Sequence, residues 1–220
     1  MSKPHPAAIS SPAEHRFDAF DGLLYAVTVF GWSTSWIAMK AQVGVVAPEV
    51  SLLWRFLVAA GCMWIWVAAR RDRLIFPWRE QIGFAGLGLF LFSTNFALFY
   101  SGASVLPSGL LSVVFSLASL GNLAMGWIFF RLRLSGRVVI GGLLGFGGVA
   151  AMFWDKIAGT QVAPGTAAGL GLCVAGTTCF CLGNQISSLV QRRGVPVLVA
   201  SAWGMSWGCV FLLAGALVRG

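Results

Sequence analysis

Acidic side chains and histidines are scarce, with seven Asp and Glu and two His among 220 residues. His5, His15, Glu14 and Asp18 precede the first apolar run; Asp21, Glu49, Glu80 and Asp155 sit at ends of apolar runs, and Asp72 lies in a loop. No apolar run therefore carries a carboxylate or imidazole well inside it. That argues against a proton relay of the intramembrane Asp/Glu/His kind in this stretch of chain. It also argues against a membrane enzyme, which needs such groups clustered within reach of one another. A Walker-type Gly-rich loop ending in Lys is missing too, so nucleotide-driven pumping by this chain is not expected. The five cysteines are odd in number and all fall in apolar runs, so a disulfide framework is not expected. The pair Cys179 and Cys181 has no His or carboxylate beside it, so inert thiols are expected rather than a metal site, and no cofactor is implied.

Apolar sequence is abundant: 58% of residues are hydrophobic, only 10% are charged, and the mean hydropathy is +0.83. Soluble domains carry about 25% charged residues, so the chain is expected to be an all-α integral membrane protein. Runs long enough to cross a bilayer occur at about 22–40, 50–69, 81–100, 105–130, 137–154, 166–188 and 196–218, a bundle of about seven transmembrane helices. The formal charge of +8 is read as a topology signal, and nucleic acid is not an expected partner. Lys3 and Arg16, Arg70, Arg71, Arg73 and Arg79, Arg131, Arg133 and Arg137, and Arg192 and Arg193 fall on one side of the bundle. By the positive-inside rule that side is cytosolic. The expectation is a plasma (inner) membrane protein with a cytosolic N-terminal tail over residues 1–21. Gly141 with Gly145, Gly165 with Gly169 and Gly204 with Gly208 have the four-residue spacing that lets helices approach closely in lipid.

Ten residues are candidates for contact with a solute. Ser108, Ser112, Ser116, Ser119 and Asn122 fall within about a third of a helix circumference, a polar stripe expected to face the bundle interior; Ser112, Ser116 and Asn122 are its candidates. Serines bonded to their own backbone carbonyls are the competing reading. Lys40, Arg55, Asn95 and Tyr100 lie in the outer half. Arg55 is a cation within a span and needs either a cavity, an ion pair with Glu49 or an interfacial position. Together Lys40 and Arg55 would attract a carboxylate or phosphate. Trp36, Trp54 and Trp154 fit an outer aromatic belt and Trp64, Trp66 and Trp127 an inner one. Trp32 and Trp203 lie nearer mid-span, where they line a pocket or pack in the core. Asn184 and Gln185 are expected to point inward.

Shifting the chain by 148 positions sets Trp32 to Pro48 beside Phe180 to Pro196, each a helix end, a short loop and a proline-started helix. If the sixth span repeats the first, the unit is five helices, and an odd number inverts the second copy, as in secondary transporters whose solute site lies between the halves. The segments FGWSTSWIAMK and APEVSLLWRFLVAAG, YSGASVLPSGLLSVVFSLASL, RLRLSGRVVIGGLLGFGGVAAMFW, and CLGNQISSLVQRRGVPVLVASAWGMSWG resemble the EamA family of the drug/metabolite transporter superfamily. The resemblance implies ten spans in two inverted halves of five, cytosolic termini, and a permease that moves a small metabolite by alternating access, with export of amino acids or related compounds preferred. Residues 22–154 would form the first repeat and 155–220 part of the second, with two helices. The chain is thus expected to be truncated, a fragment, or a half completed by a homo- or hetero-oligomeric partner. The family pattern often has a proline near Ser119 and a glutamate near Leu132, both absent here. A seven-helix receptor or retinal protein fits poorly, because the N-terminus is expected inside and residues 196–218 hold no lysine for a Schiff base.

Overall fold

A computed structural model describes residues 18–44, 47–132, 135–152, 154 and 165–219. Residues 1–17 of the predicted tail, with Lys3, His5, Glu14, His15 and Arg16, lie outside the described residues, as do Arg133, Asp155 and Lys156, while residues 19–21 of that tail open helix one. Among the described residues the regular structure is entirely helical. Helix one runs Ala19–Gln42, helix two Pro48–Ala69, helix five Gly136–Met152, helix six Thr166–Arg192 and helix seven Val197–Arg219. Helix three comprises Trp78–Leu89, a π-helical turn Phe90–Thr94 and Asn95–Ala103. Helix four comprises Ser108–Ser116 and Ala118–Phe130, divided at Leu117. Six of these helices are long and apolar enough to cross a membrane. The fifth has 17 residues, close to the lower limit of about 17 for a span. The protein is a multispan helical membrane protein.

Prolines start several of these helices. Pro48 occupies the first turn of helix two, and Pro77 and Pro107 directly precede helices three and four, where a missing N–H costs nothing and a fixed φ presets the helix. At the far end of helix four the chain stops on Arg131 in the left-handed region, φ 52°, with backbone N–H groups turned back to Gly126 O, a helix-ending geometry.

The chain divides into two units, Met1–Ser35 and Trp36–Gly220. The described part of the first is the opening two-thirds of helix one, largely exposed, with Trp32 53% exposed. In the second unit helix seven packs on helices two and three, and helix six on helices three and four. Its core has two apolar clusters. One gathers Met39, Leu52, Phe99, Leu106, Leu111 and Leu212; the other gathers Val67, Phe84, Leu87, Val190 and Val199, and Phe92 of the π-helical turn packs against both.

That turn determines where glycine is needed. A Cβ at Gly204 would lie 2.8 Å from Phe92 Cε2, one at Gly208 2.8 Å from Phe92 Cβ, and one at Gly183 2.8 Å from Leu91 Cβ. Helices six and seven therefore close on the widened turn only because they present no side chain there. Ser93 is buried and donates to Gly88 O and Leu89 O, each at 2.9 Å, which satisfies carbonyls in the altered hydrogen-bond ladder. The second predicted pair also packs, with Gly169 against Val105 and Leu106. Gly141 and Gly145 differ from expectation: a Cβ on either would meet nothing within 4 Å. Helix four differs as well. Leu117 N–H reaches back to Val114 O at 3.1 Å, one residue short of the α-helical partner, so a tightened turn forms at that point without the family's proline.

Gly208→Ala is expected to destabilise the protein by about 1–3 kcal/mol through overpacking against Phe92, whereas Gly145→Ala, with open space for its methyl group, should stabilise it by up to about 1 kcal/mol. Thermal midpoints of the two purified variants in detergent check both.

Candidate functional site

Past the turn at Leu117, helix four comes close to helix six: a Cβ on Gly121 would lie 2.7 Å from Cys181 Sγ. The next residue, Asn122, meets two amides across that approach. Its Oδ1 accepts from Asn184 Nδ2 at 3.2 Å and from Gln185 Nε2 at 3.3 Å. Gln185 is buried, while Asn122 and Asn184 are half-buried. A side-chain amide offers two donor hydrogens and an oxygen acceptor. The three residues therefore retain donor capacity on Asn122 and acceptor capacity on Asn184 and Gln185, suited to a small solute with both kinds of group.

A second polar group lies at the end of helices one and three. Gln42 Oε1 accepts from Tyr100 OH at 2.8 Å and from Ser51 Oγ at 2.6 Å, tying helix one to helices two and three. Lys40 donates to the backbone oxygens of Ala103 and Leu106. A cation on the terminal carbonyls satisfies groups that a helix leaves unpaired and opposes its dipole. Two of the three Lys40 ammonium donors are thus engaged at the end of helix three, a role the expected pairing with Arg55 as anion ligands did not include.

Arg55 is exposed, with its guanidinium carbon 5.2 Å from the Phe96 ring centroid and 6.0 Å from that of Phe56. Arg70 pairs with Asp72 and Arg193 with Glu80, whereas the contacts of Arg55 are with the two rings rather than in the ion pair expected with Glu49. Asn95, directly after the π-helical turn, is 2% exposed, and its Oδ1 has no hydrogen-bond partner. A buried acceptor left unmade costs about 1–3 kcal/mol.

The serine stripe departs from expectation. Ser112 and Ser116 donate to their own helix, to Gly109 O at 2.8 Å and Val113 O at 2.6 Å, and Ser116 and Ser119 are exposed rather than interior. Their hydroxyls need no neighbour, and the turn at Leu117 breaks the regular helical phase on which the stripe depended. Trp203 stands in the second apolar cluster, stacked on Phe84 at 6.0 Å and edge-on to Trp64 at 5.2 Å, with its indole N–H on Leu74 O at 3.1 Å. Its contacts are those of a core residue. Trp36 likewise leaves the expected belt for Phe99 and Phe115, at 5.4 and 5.3 Å. Trp32 belongs to the first unit. The structure thus joins Asn122 with Asn184 and leaves the other candidates apart from them. Gln42 and Ser51, which complete the Tyr100 network, carried no signal in the sequence beyond lying near helix ends.

Helices that bury amides against one another inside apolar spans define a polytopic membrane protein with a polar interior. Residues 21–154 match the profile of the EamA-like transporter family, and the chain belongs to that family. An uncharacterized transporter of Buchnera aphidicola subsp. Schizaphis graminum is 30% identical over 94 residues, covering 43% of this chain and 31% of the relative. Protein PagO of Salmonella typhimurium is 28% identical over 94 residues, with the same coverage. An uncharacterized transporter of Buchnera aphidicola subsp. Schlechtendalia chinensis is 27% identical over 112 residues, covering 51% of this chain and 37% of the relative. The chain thus spans about a third of the length of these relatives. No solved structure matches it.

Asn122→Leu strands two amide donors and is expected to cost about 1–2 kcal/mol, in the upper range for hydrogen bonds within membranes. Adding Gln185→Leu should cost less than the sum of the single changes. Unfolding in mixed micelles, followed as a double-mutant cycle, measures both.

Proposed function

We propose that this chain acts as a transporter of small polar metabolites, carrying its solute by alternating access across the plasma membrane. The N-terminus is cytosolic in this reading, and amino acids or related compounds are exported. The observation that carries it is the amide cluster of Asn122, Asn184 and Gln185. Asn122 lies within the family-matched residues, 21–154, and its partners lie on the helix that follows them. A solute site between successive halves near mid-membrane is the arrangement of secondary transporters built from inverted repeats. Amide groups suit it, because they recognise zwitterionic or hydroxylated solutes without the cost of an intramembrane charge.

The π-helical turn of helix three supports the same reading, since such turns place a local bend in an otherwise rigid span. Alternating access needs elements that can change tilt while staying packed, and helix three contacts both helices six and seven across that turn.

Cells producing the full chain and preloaded with radiolabelled amino acids are expected to lose label faster than cells with an empty vector. Asn184→Leu should reduce the rate at least about fivefold, a loss of roughly 1 kcal/mol of recognition, with unchanged insertion by immunoblot of membranes. Identical efflux from wild-type and empty-vector cells across the amino-acid panel would remove the transport reading.

A further inference from the structure

Arg55 occupies an unusual position for a cation in a span. It lies seven residues beyond Pro48, the first residue of helix two, and so about 10 Å along the helix from its start. A long side chain at such a depth ordinarily extends toward the headgroups. Here the guanidinium instead sits over Phe96, 5.2 Å from the ring centroid, and Phe96 is itself seven residues before Ala103, the end of helix three. The charge is held level with the interior part of both helices.

The platform under it is fixed. Phe56 packs edge-on against Phe92 at 5.7 Å and Phe96 at 5.1 Å. Phe92 is in turn held by the bare backbone at Gly204 and Gly208. A guanidinium lying against an aromatic surface keeps its N–H donors free at its edge. Among the described residues no carboxylate or carbonyl takes those donors, and Lys40, the other cation of this half, is engaged with the backbone. An exposed arginine inside a span, braced by rings and with its donor edge unspent, is built for an oxygen anion with two coplanar acceptors.

We propose that Arg55 on its Phe56 and Phe96 platform docks an oxyanion, the carboxylate of a small solute with an apolar part that rests against the rings. This site is separate from the amide cluster of Asn122, Asn184 and Gln185 and goes beyond it, while resting on the transporter reading. A single guanidinium matches a single carboxylate in charge, and the depth of the site favours a carried solute over a headgroup phosphate of the same chemistry.

The test uses the purified full chain in a neutral detergent, titrated with benzoate and with benzamide as its uncharged counterpart, followed by thermal midpoint. Benzoate is expected to stabilise the wild type and benzamide not to. Arg55→Gln should raise the half-saturating benzoate concentration at least tenfold, and Arg55→Lys should weaken binding too, because an ammonium cannot take both oxygens in the fork geometry. Phe96→Leu, which keeps the charge and removes the ring, should also weaken it and carries the test if the Arg55 variants fold poorly. A parallel arm places wild type and Arg55→Lys in phosphatidylcholine nanodiscs with or without phosphatidylglycerol. Stabilisation by phosphatidylglycerol that depends on Arg55, with no response to benzoate, identifies a headgroup site and overturns solute docking. Equal benzoate responses in the wild type and the variants, or equal responses to benzoate and benzamide, overturn it as well. Loss of Arg55-dependent binding with amino-acid efflux intact would leave the transport reading standing. Binding without any efflux would remove transport and keep the docking site.

Discussion

Helix three can be widened at Phe90–Thr94 only because its neighbours have nothing to place there. The backbone of helix seven at Gly204 and Gly208, and that of helix six at Gly183, meet the turn at distances that would exclude even a methyl group. In lipid, where burial of apolar surface does not by itself drive helices together, such close backbone approach supplies the dispersion contacts that hold a bundle. Phe92 then joins the two apolar clusters, and the aromatic arrangement of Phe56 and Phe96 follows from it.

Polar groups inside the bundle follow one rule: they are consumed locally wherever a partner is near. Ser112, Ser116, Thr177 and Thr178 bond carbonyls of their own helices. Lys40 and Gln42 close the end of helices one, two and three. Three indoles serve the same purpose, with Trp64 on Ser206, Trp203 on Leu74 O and Trp207 on Gln81. Against that background, groups with capacity to spare among the described residues include the amide cluster, Arg55 and the Asn95 oxygen.

Much of the architecture was legible in the residues. Apolar runs and prolines placed the helices within a few positions, because span length and proline geometry are local properties. The glycine spacing at 204 and 208 read correctly for the same reason. The interruptions were not legible. A π-helical turn is a response to packing from two other helices, and the turn at Leu117 has no proline to announce it. Those two features govern which side chains meet. The serine stripe assumed an unbroken helix, and its members on either side of Leu117, Ser116 and Ser119, are exposed on the bundle surface, whereas Asn122 retained an interior role only because Gly121 brings helix six within reach. The role of Lys40 could not be inferred from its place at a helix end, since its partners are carbonyls more than sixty positions away in sequence.

A π-helical turn is also a phase setting. It spends one more residue per turn than an α-helix, so everything beyond it is rotated by about 100 degrees relative to a straight continuation. Asn95, Phe96, Phe99 and Tyr100 all lie beyond Phe90–Thr94. Their four different surroundings, an unfilled acceptor site, the cation platform, the aromatic contact with Trp36 and the Gln42 network, are therefore fixed together by one inserted residue. Removing one residue there would return the segment to α-helical winding and leave all four on the faces they now occupy, so the turn is the place where helix three absorbs an extra residue without moving what lies beyond it.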